Sequence, residues 1–183
     1  DRGFIFDPKK DLRLEMFCDA DFAGLWNVES KDDPMCVRSR SGMVITFGEV
    51  PVIWKSKLQT EIAVLTMQAE YISLSEGMRE LIPLKRQIEE ICDVLNIVRD
   101  PSIQICRVHE DNEGALKLAT APIEKVTPQS KFFVIKYHWF RSKLDELGVQ
   151  ILGIRSNDQK ADIFTKGLQK LSYQNIRKLL MGW

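Results

Sequence analysis

The first regular pattern in the chain is an apolar residue at every second position. It runs from Leu12 to Cys18 and stops at Asp19, and a period of two is typical of a β-strand with one buried face. The preceding residues, 1–11, mix charged residues with Gly and Pro and are interpreted as a connecting arm. We therefore expect a single domain over residues 12–183.

Two further β-rich runs follow a polar stretch, 27–41, that is interpreted as a loop. The runs span 43–47 and 50–54 and are separated by a Gly-Glu pair, which favours a hairpin. Pro51 lies in the second run. Because proline cannot donate to a strand ladder, we expect that strand near the edge of the sheet.

From Thr66 the apolar spacing changes to three and four, which predicts a long amphipathic helix. Its apolar stripe is formed by Leu74, Met78, Leu81, Leu84, Ile88, Ile91 and Leu95. Pro83 interrupts the pattern, so we expect a kink or two helices end to end. A second stripe ends at Gly148, a residue type common at helix C termini. Its members are Phe133, Tyr137, Phe140, Leu144 and Leu147.

The remaining predicted elements are short. Strands are expected at 103–108 and 149–154, and helices at about 112–120, 158–166 and 171–181. A hairpin pairs antiparallel, whereas helical crossovers permit parallel pairing. The pattern therefore predicts an α/β domain with a mixed sheet.

The composition excludes several classes of protein. The chain has 183 residues with 26 basic and 26 acidic side chains, so it does not coat nucleic acid by bulk charge. Its four Cys form no CxxC pair, which argues against a zinc site and a disulfide scaffold. No apolar run approaches the ~20 residues of a membrane span, and no signal peptide is visible. We therefore expect no membrane partner.

Four carboxylates lie at the ends of different predicted elements. Asp19 ends the first strand, Asp111 follows a later strand, and Glu70 and Asp162 stand early in helices. Sites in open α/β sheets collect outside strand ends, and two divalent cations such as Mg²⁺ about 4 Å apart can hydrolyse a phosphodiester. Spacing alone does not distinguish such a site from a solvated acidic rim. Asp21 shares the strand face of Asp19 and is the main alternative ligand.

Six segments resemble, in order, motifs of the ribonuclease H domain of copia-type LTR retrotransposon polyproteins. They are 17–24 (FCDADFAG), 40–42 (RSG) with 53–59 (IWKSKLQ), 69–74 (AEYISL), 110–115 (EDNEGA), 130–131 (SK) with 136–141 (KYHWFR), and 158–166 (DQKADIFTK). The similarity covers about residues 12–181. Because the motifs keep their order, the resemblance is far more specific than any one of them.

The resemblance implies an α/β, ribonuclease H-like fold with a five-stranded mixed sheet flanked by helices. It implies an enzyme that hydrolyses the RNA strand of RNA:DNA hybrids during retrotransposon reverse transcription, leaving 3′-hydroxyl and 5′-phosphate ends. It also implies a parent polyprotein in which a reverse transcriptase is covalently linked to this domain. The expected location is intracellular, in a cytoplasmic retroelement particle.

By motif position, the resemblance also assigns the site. The catalytic, metal-binding residues that it implies are Asp19, Glu70, Asp111 and Asp162. The implied cofactor is a pair of Mg²⁺ ions, with Mn²⁺ as a possible substitute.

Positive charge is concentrated in two stretches, 36–60 and 125–143, whereas residues 1–35 have a surplus of acids. A hybrid is bound through its phosphates and 2′-hydroxyls, which requires Lys, Arg and polar donors. The candidate substrate-binding residues are Lys55, Lys57, Asn112, Lys131, Lys136, Arg141 and Gln159. For Lys131 and Lys136, a solvated helix face is an equally good interpretation.

The chain departs from the family pattern at positions that are not metal ligands. Residues 132–134 (FFV) replace a polar segment, and 152–161 contain no His, although cellular ribonucleases H carry a catalytic-loop His there. Two alternatives remain: a catalytically weak hybrid-binding module, and a different nuclease or an integrase on the same fold. The four intact acids disfavour the first alternative, and the copia-type motifs disfavour the second.

Overall fold

The computed structural model describes residues 3–26, 28–99, 101–122 and 138–183. Within them lies one mixed sheet whose strands are β1 (Leu14–Asp21), β2 (Arg40–Phe47), β3 (Val50–Leu58), β4 (Cys106–Glu110) and β5 (Val149–Gly153). The strands lie in the order β3-β2-β1-β4-β5. β2 is antiparallel to β1 and β3, whereas β4 is parallel to β1 and β5. The expected five-stranded mixed sheet is confirmed.

Helices connect and cover the strands. The α-helices are α1 (Thr66–Val94), α2 (Pro101–Gln104), α3 (Glu113–Thr120), α4 (Arg141–Leu144) and α5 (Lys170–Met181). Single 3-10 turns lie at Pro34–Val37, His138–Phe140, Ser156–Asp158 and Lys160–Phe164. In the part of the chain that the structure describes, no helix combines the length and the hydropathy needed to cross a membrane.

The predicted hairpin is present and longer than expected. Gly48 and Glu49 connect β2 to β3 with φ values of 57° and 67°, the sign that tight hairpin turns require at both central positions. β3 is an edge strand, as Pro51 predicts. The pairing register shifts between Ile45 and Thr46, opposite this proline.

Three predicted elements differ only in part from the observed ones. α1 continues through Pro83 as one helix of 29 residues, so of the two expected outcomes the pair of separate helices is wrong. The strand expected at 103–108 begins only at Cys106, since α2 occupies the residues before it. The loop expected at 27–41 contains a 3-10 turn, and β2 already begins in its last two residues.

The helix expected at 158–166 is replaced by two 3-10 turns. Gln159, between them, is fully buried, and its side chain donates to the carbonyl of Cys18 over 2.9 Å. A continuous helix would not place this amide against β1. The second apolar stripe falls partly on 123–137, which lies outside the described residues, and its described end is only a 3-10 turn and α4 before Gly148.

The two faces of β1 pack against different layers. Met16 and Cys18 belong to the core under α1, whereas Phe17 packs with residues of α5 and of the turn Lys160–Phe164. Asp19 points to the same side as Phe17 because side chains alternate along a strand. This alternation places an acid at the end of the central strand, against residues 160–166.

The N-terminal arm packs along the end of α5. Residues 3–11 form no helix or strand. The N–H of Ile5 donates to the carbonyl of Met181 over 3.1 Å, and the N–H of Lys9 donates to the carbonyl of Gly48 over 2.9 Å. The arm therefore joins the last helix to the hairpin turn.

Candidate metal centre

Three carboxylates meet at one edge of the sheet. Asp19 lies near the end of β1, Asp111 directly follows β4, and Glu70 lies in the first turns of α1. Each offers an oxygen atom, and these atoms lie within 4.8 Å of one another. β1 and β4 are parallel, with Phe17 level with His109. Their C-terminal ends therefore bring the two aspartates to the same edge.

Two of the three acids are buried, whereas Asp111 is partly exposed. Asp19 is 2% exposed and Glu70 is 5% exposed. Burial, and then the negative charges of Glu110, Asp19 and Asp111, raise the pKa of Glu70 to about 10. In the described part of the chain, Glu70 Oε2 is buried with no hydrogen-bond partner. A hard divalent cation fits this donor set, because it binds carboxylate oxygens and stabilises their ionised form.

A further buried carboxyl, Glu110, lies behind the cluster and was missed in the sequence. It is 1% exposed, its Oε1 accepts the N–H of Asn112 over 3.0 Å, and its Oε2 lies 3.8 Å from the thiol of Cys18. Burial chiefly raises its pKa, and the charges of Asp111 and Asp19 add to the effect. The sequence contains a signal for it, because Glu110 follows Val108 at the strand period and so falls on the buried face.

The fourth predicted acid, Asp162, stands beside the cluster and is joined to it by a lysine. Lys166 Nζ lies 2.9 Å from Asp162 Oδ1 and 3.5 Å from Asp19 Oδ1. Burial raises the pKa of Asp162 to about 6, a rise that its hydrogen bond with Lys166 opposes and the negative charges of Asp19 and Asp111 reinforce. The three-residue group within 4.8 Å does not include Asp162.

Hydrogen bonds from both sides fix the end of β1. The Ser73 hydroxyl on α1 donates to the carbonyl of Asp19 over 2.8 Å. On the opposite face, the Thr165 hydroxyl donates to Asp19 Oδ2. Gln159 binds the carbonyl of Cys18 from this face, and its amide nitrogen also lies 3.5 Å from Asp111 Oδ1. The acid side chains are therefore held by neighbours that are themselves buried.

The alternative ligand, Asp21, lies outside the three-residue group. It is half-buried, and burial followed by the charge of Asp19 raises its pKa. Its carboxylate lies directly over Gly24, where a Cβ atom would be 1.7 Å from Asp21 Oδ2. The geometry therefore favours Asp19 over Asp21 as the ligand from β1.

Two of the candidate substrate-binding lysines border a groove next to the cluster. Lys55 and Lys57 on β3 line a cavity of about 190 Å³ between the hairpin and α1. Ser73, which holds the backbone of Asp19, also lines it, as does Arg79. Lys55 forms an ion pair with Glu80 over 2.5 Å. The groove next to the acid cluster is therefore lined by three basic side chains and two acidic ones, Glu76 and Glu80.

The other described candidates make contacts within the protein. Asn112 is the N-cap of α3, and its side chain accepts the N–H of Ala115 over 3.0 Å. Gln159 is fully buried, so in this conformation it positions Asp111 and β1 and does not face a substrate. Arg141 donates to His138 Nε2 over 2.7 Å and to the carbonyl of Ala121.

Two candidates, Lys131 and Lys136, lie outside the described residues. The segment that follows them is anchored to α1 close to Glu70. Tyr71 and His138 Nδ1 are hydrogen-bonded over 2.5 Å, and the indole N–H of Trp139 donates to the Ser75 hydroxyl over 3.0 Å.

The chain is similar in sequence to curated polyproteins of three plant transposons. It is 28% identical over 170 residues to the "Retrovirus-related Pol polyprotein from transposon TNT 1-94" of Nicotiana tabacum, and 93% of this chain is covered. It is 27% and 28% identical to the corresponding polyproteins from transposons RE2 and RE1 of Arabidopsis thaliana, over 97% and 95% of this chain. The chain spans 11% of the length of each polyprotein. No protein-family model matches it.

Comparison with solved structures shows the fold. The N-terminal RNase H domain of a Mycobacterium tuberculosis protein, solved as a fusion with maltose binding protein, superposes with a TM-score of 0.54 at 11% identity. The alignment covers 90% of this chain and 98% of that one. LC11-RNase H1, isolated from compost and solved in complex with RNA/DNA hybrid, gives a TM-score of 0.50 at 15% identity over 84% of this chain and 94% of that one. The chain therefore has the ribonuclease H fold, and its sequence is similar to Pol polyproteins of plant transposons, as its motifs predict.

Proposed function

We propose that this domain is a metal-dependent endoribonuclease that hydrolyses the RNA strand of RNA:DNA hybrids during reverse transcription of a retrotransposon. The observation that supports this function best is the meeting of Asp19, Glu70 and Asp111 within 4.8 Å. Asp162 lies beside them and is linked to Asp19 through Lys166. The polyprotein relatives and a structural neighbour solved with an RNA/DNA hybrid support the same substrate.

The acids would hold two divalent cations, Mg²⁺ or Mn²⁺. When bound, these ions activate a water and stabilise the leaving 3′-oxygen of the phosphodiester. Asp19 belongs to the three-acid group and also contacts the lysine that binds Asp162. This position near both groups supports Asp19 as the carboxylate that would be shared by the two cations.

Buried residues around the acids hold β1 and the carboxylate of Asp19 in a fixed orientation. Ser73 and Gln159 fix the backbone at the end of β1, and Thr165 fixes one oxygen of Asp19. These contacts hold the ligand oxygens in place before substrate arrives, so little reorganisation accompanies the reaction. In the groove beside the cluster, Lys55, Lys57 and Arg79 offer positive charge for the phosphates of one strand.

A cleavage assay on labelled duplexes tests the proposal. RNA:DNA hybrid, double-stranded RNA and double-stranded DNA are each incubated with the domain in Mg²⁺, in Mn²⁺ or in EDTA. We expect cleavage of the hybrid RNA alone, with 5′-phosphate products and no reaction in EDTA. Asp111→Asn abolishes cleavage, whereas the exposed Asp145→Asn retains it.

The same assay separates the alternatives. Salt-sensitive binding of the hybrid without cleavage identifies a hybrid-binding module, and cutting of the DNA duplex identifies a different nuclease. Hybrid cleavage that survives Asp111→Asn removes the acid cluster as the site. A longer chain that includes the proposed reverse transcriptase, tested beside this domain, shows whether the covalent linkage is needed for activity.

A further inference from the structure

The acid cluster contains its own cation. The ammonium group of Lys166 lies between the carboxylates of Asp162 and Asp19, at 2.9 Å and 3.5 Å from one oxygen of each. The two acids are 12% and 2% exposed at their side chains, whereas the lysine is 38% exposed. A partly exposed positive charge therefore covers two buried negative charges.

The local backbone brings Lys166 next to Asp162. The N–H groups of Thr165 and Lys166 both donate to the carbonyl of Asp162 over 3.2 Å. This closed turn places the lysine four residues after the aspartate on the same side, a spacing at which side chains meet. Thr165 meanwhile binds the second oxygen of Asp19.

Both oxygens of Asp19 are thus engaged by residues of one short segment. Oδ2 accepts from Thr165, and Oδ1 faces Lys166. A carboxylate oxygen that accepts from a hydroxyl can still bind a cation with its remaining lone pair. An ammonium and a divalent cation, however, repel each other when both occupy the space beside the same oxygen.

We propose that Lys166 competes with a divalent cation for Asp19 and Asp162, so that it stabilises the metal-free protein and lowers the affinity of these two acids for metal. This competition rests on the proposed function, since it assumes that the acids bind such a cation. The exposed fraction of the lysine gives it a route to solvent when it is displaced. Among the described residues, Lys166 forms ion pairs with Asp19 and Asp162 and none with Glu70 or Asp111.

The experiment compares Lys166→Met, Lys166→Arg and the wild type. Mn²⁺ binding is measured by isothermal titration calorimetry, and thermal unfolding is measured in EDTA. We expect Lys166→Met to bind Mn²⁺ about tenfold more tightly, because a like charge has left the site. In EDTA its Tm is lower by a few degrees, because two buried acids have lost their partner. Lys166→Arg behaves like the wild type on both measurements.

Lys117→Met is the matched control. Lys117 forms an i,i+4 ion pair with Glu113 over 3.1 Å, but both side chains are exposed. Its loss leaves the Mn²⁺ affinity unchanged. If Lys166→Met folds poorly in EDTA, Lys166→Gln, which keeps a donor for Asp162 without the charge, takes its place in the titration.

The outcomes distinguish the competition from the proposed function. If the wild type binds Mn²⁺ and Lys166→Met binds it no more tightly, the competition is wrong and the proposed function stands. Weaker binding by the variant would show that the lysine positions ligands, which also overturns the competition. If neither protein binds Mn²⁺, both the competition and the metal-dependent step of the proposed function fail.

Discussion

The four acids are carried by two kinds of structure. Asp19 lies in β1, Glu70 in α1 and Asp111 directly after β4, whereas Asp162 lies in a single 3-10 turn. The first three are placed by the pairing of parallel strands and by a 29-residue helix. The turn that carries Asp162 is placed by side-chain contacts, among them Thr165 with Asp19 and Gln159 with β1. The site therefore has two halves. The sheet-built half consists of Asp19, Glu70 and Asp111, which the sheet and α1 hold in place. The docked half consists of Asp162 and its turn, which side-chain contacts attach to the sheet.

The largest expected effect comes from neutralising one acid in each half. Asp19→Asn is expected to lower single-turnover cleavage of hybrid RNA roughly thousandfold, because charge stabilisation at a reacting centre is of that order. Asp162→Asn lowers it about tenfold to thirtyfold, since this acid lies outside the close group and already shares its charge with Lys166. Equal losses in the two variants would contradict the division into halves.

The second prediction concerns the stability of the metal-free protein as the pH rises. The folded-state pKa of Glu70 is raised from 4.5 to about 10, so the folded protein retains a proton that the unfolded chain releases. Stability from this group is full below about pH 4.5 and is lost as the pH rises toward 10. In EDTA the Tm therefore falls between pH 5 and pH 9.

Two further measurements test whether Glu70 causes this pH dependence. Glu70→Gln removes the ionisation, so its Tm in EDTA falls less over the same range and exceeds that of the wild type at pH 8. Mg²⁺ favours the ionised acids, so the Tm gain that it gives the wild type grows with pH. A wild-type Tm in EDTA that rises from pH 5 to pH 9 would show that Glu70 is ionised without metal.

A smaller effect is expected from separating the docked turn from the sheet. A Cβ atom on Gly42 of β2 would lie 2.5 Å from Thr165 Cγ2 and 3.2 Å from the carbonyl oxygen of Ala161. Gly42→Ala is therefore expected to lower the free energy of unfolding by about 1–3 kcal/mol and to reduce cleavage. Denaturant unfolding measures the first effect. Gly167→Ala, with nothing within 4 Å of the added atom, should show neither change.

The smallest effect tests one hydrogen bond between the halves. Thr165→Val keeps the shape of the side chain but removes its donation to Asp19 Oδ2. We expect a loss of about 1 kcal/mol in the free energy of unfolding, and a several-fold loss of cleavage at saturating Mg²⁺. Unchanged cleavage would mean that the sheet alone positions Asp19.

The sheet-built half was the easier half to predict from the sequence. The period-two run before Asp19 and the apolar spacing after Glu70 both reflect burial, and burial is what the structure shows there. Even so, the residues alone left a metal site and a solvated rim as alternatives, and only the motif resemblance chose between them. The distance of 4.8 Å among the acids depends on strand order, which no local pattern contains.

The docked half could not be derived from local patterns. Residues 158–166 have the polar start and apolar spacing of a helix, yet they form two 3-10 turns. The cause is tertiary, because the buried amide of Gln159 donates to a carbonyl of β1, 141 residues away in the chain. Glu110 is the opposite case: the strand period places it on the buried face, but the motif assigns the metal ligand to the neighbouring Asp111.

The arm contact has a consequence for how this domain sits in a longer polypeptide. The backbone of Ile5 is hydrogen-bonded to that of Met181, so the chain enters and leaves the fold at one place. A segment joined to either side therefore departs from the same corner, and an inserted copy of the domain would not force its flanks apart. The same proximity permits a circular permutant in which a short linker joins residues 5 and 181, with new termini opened in an exposed turn.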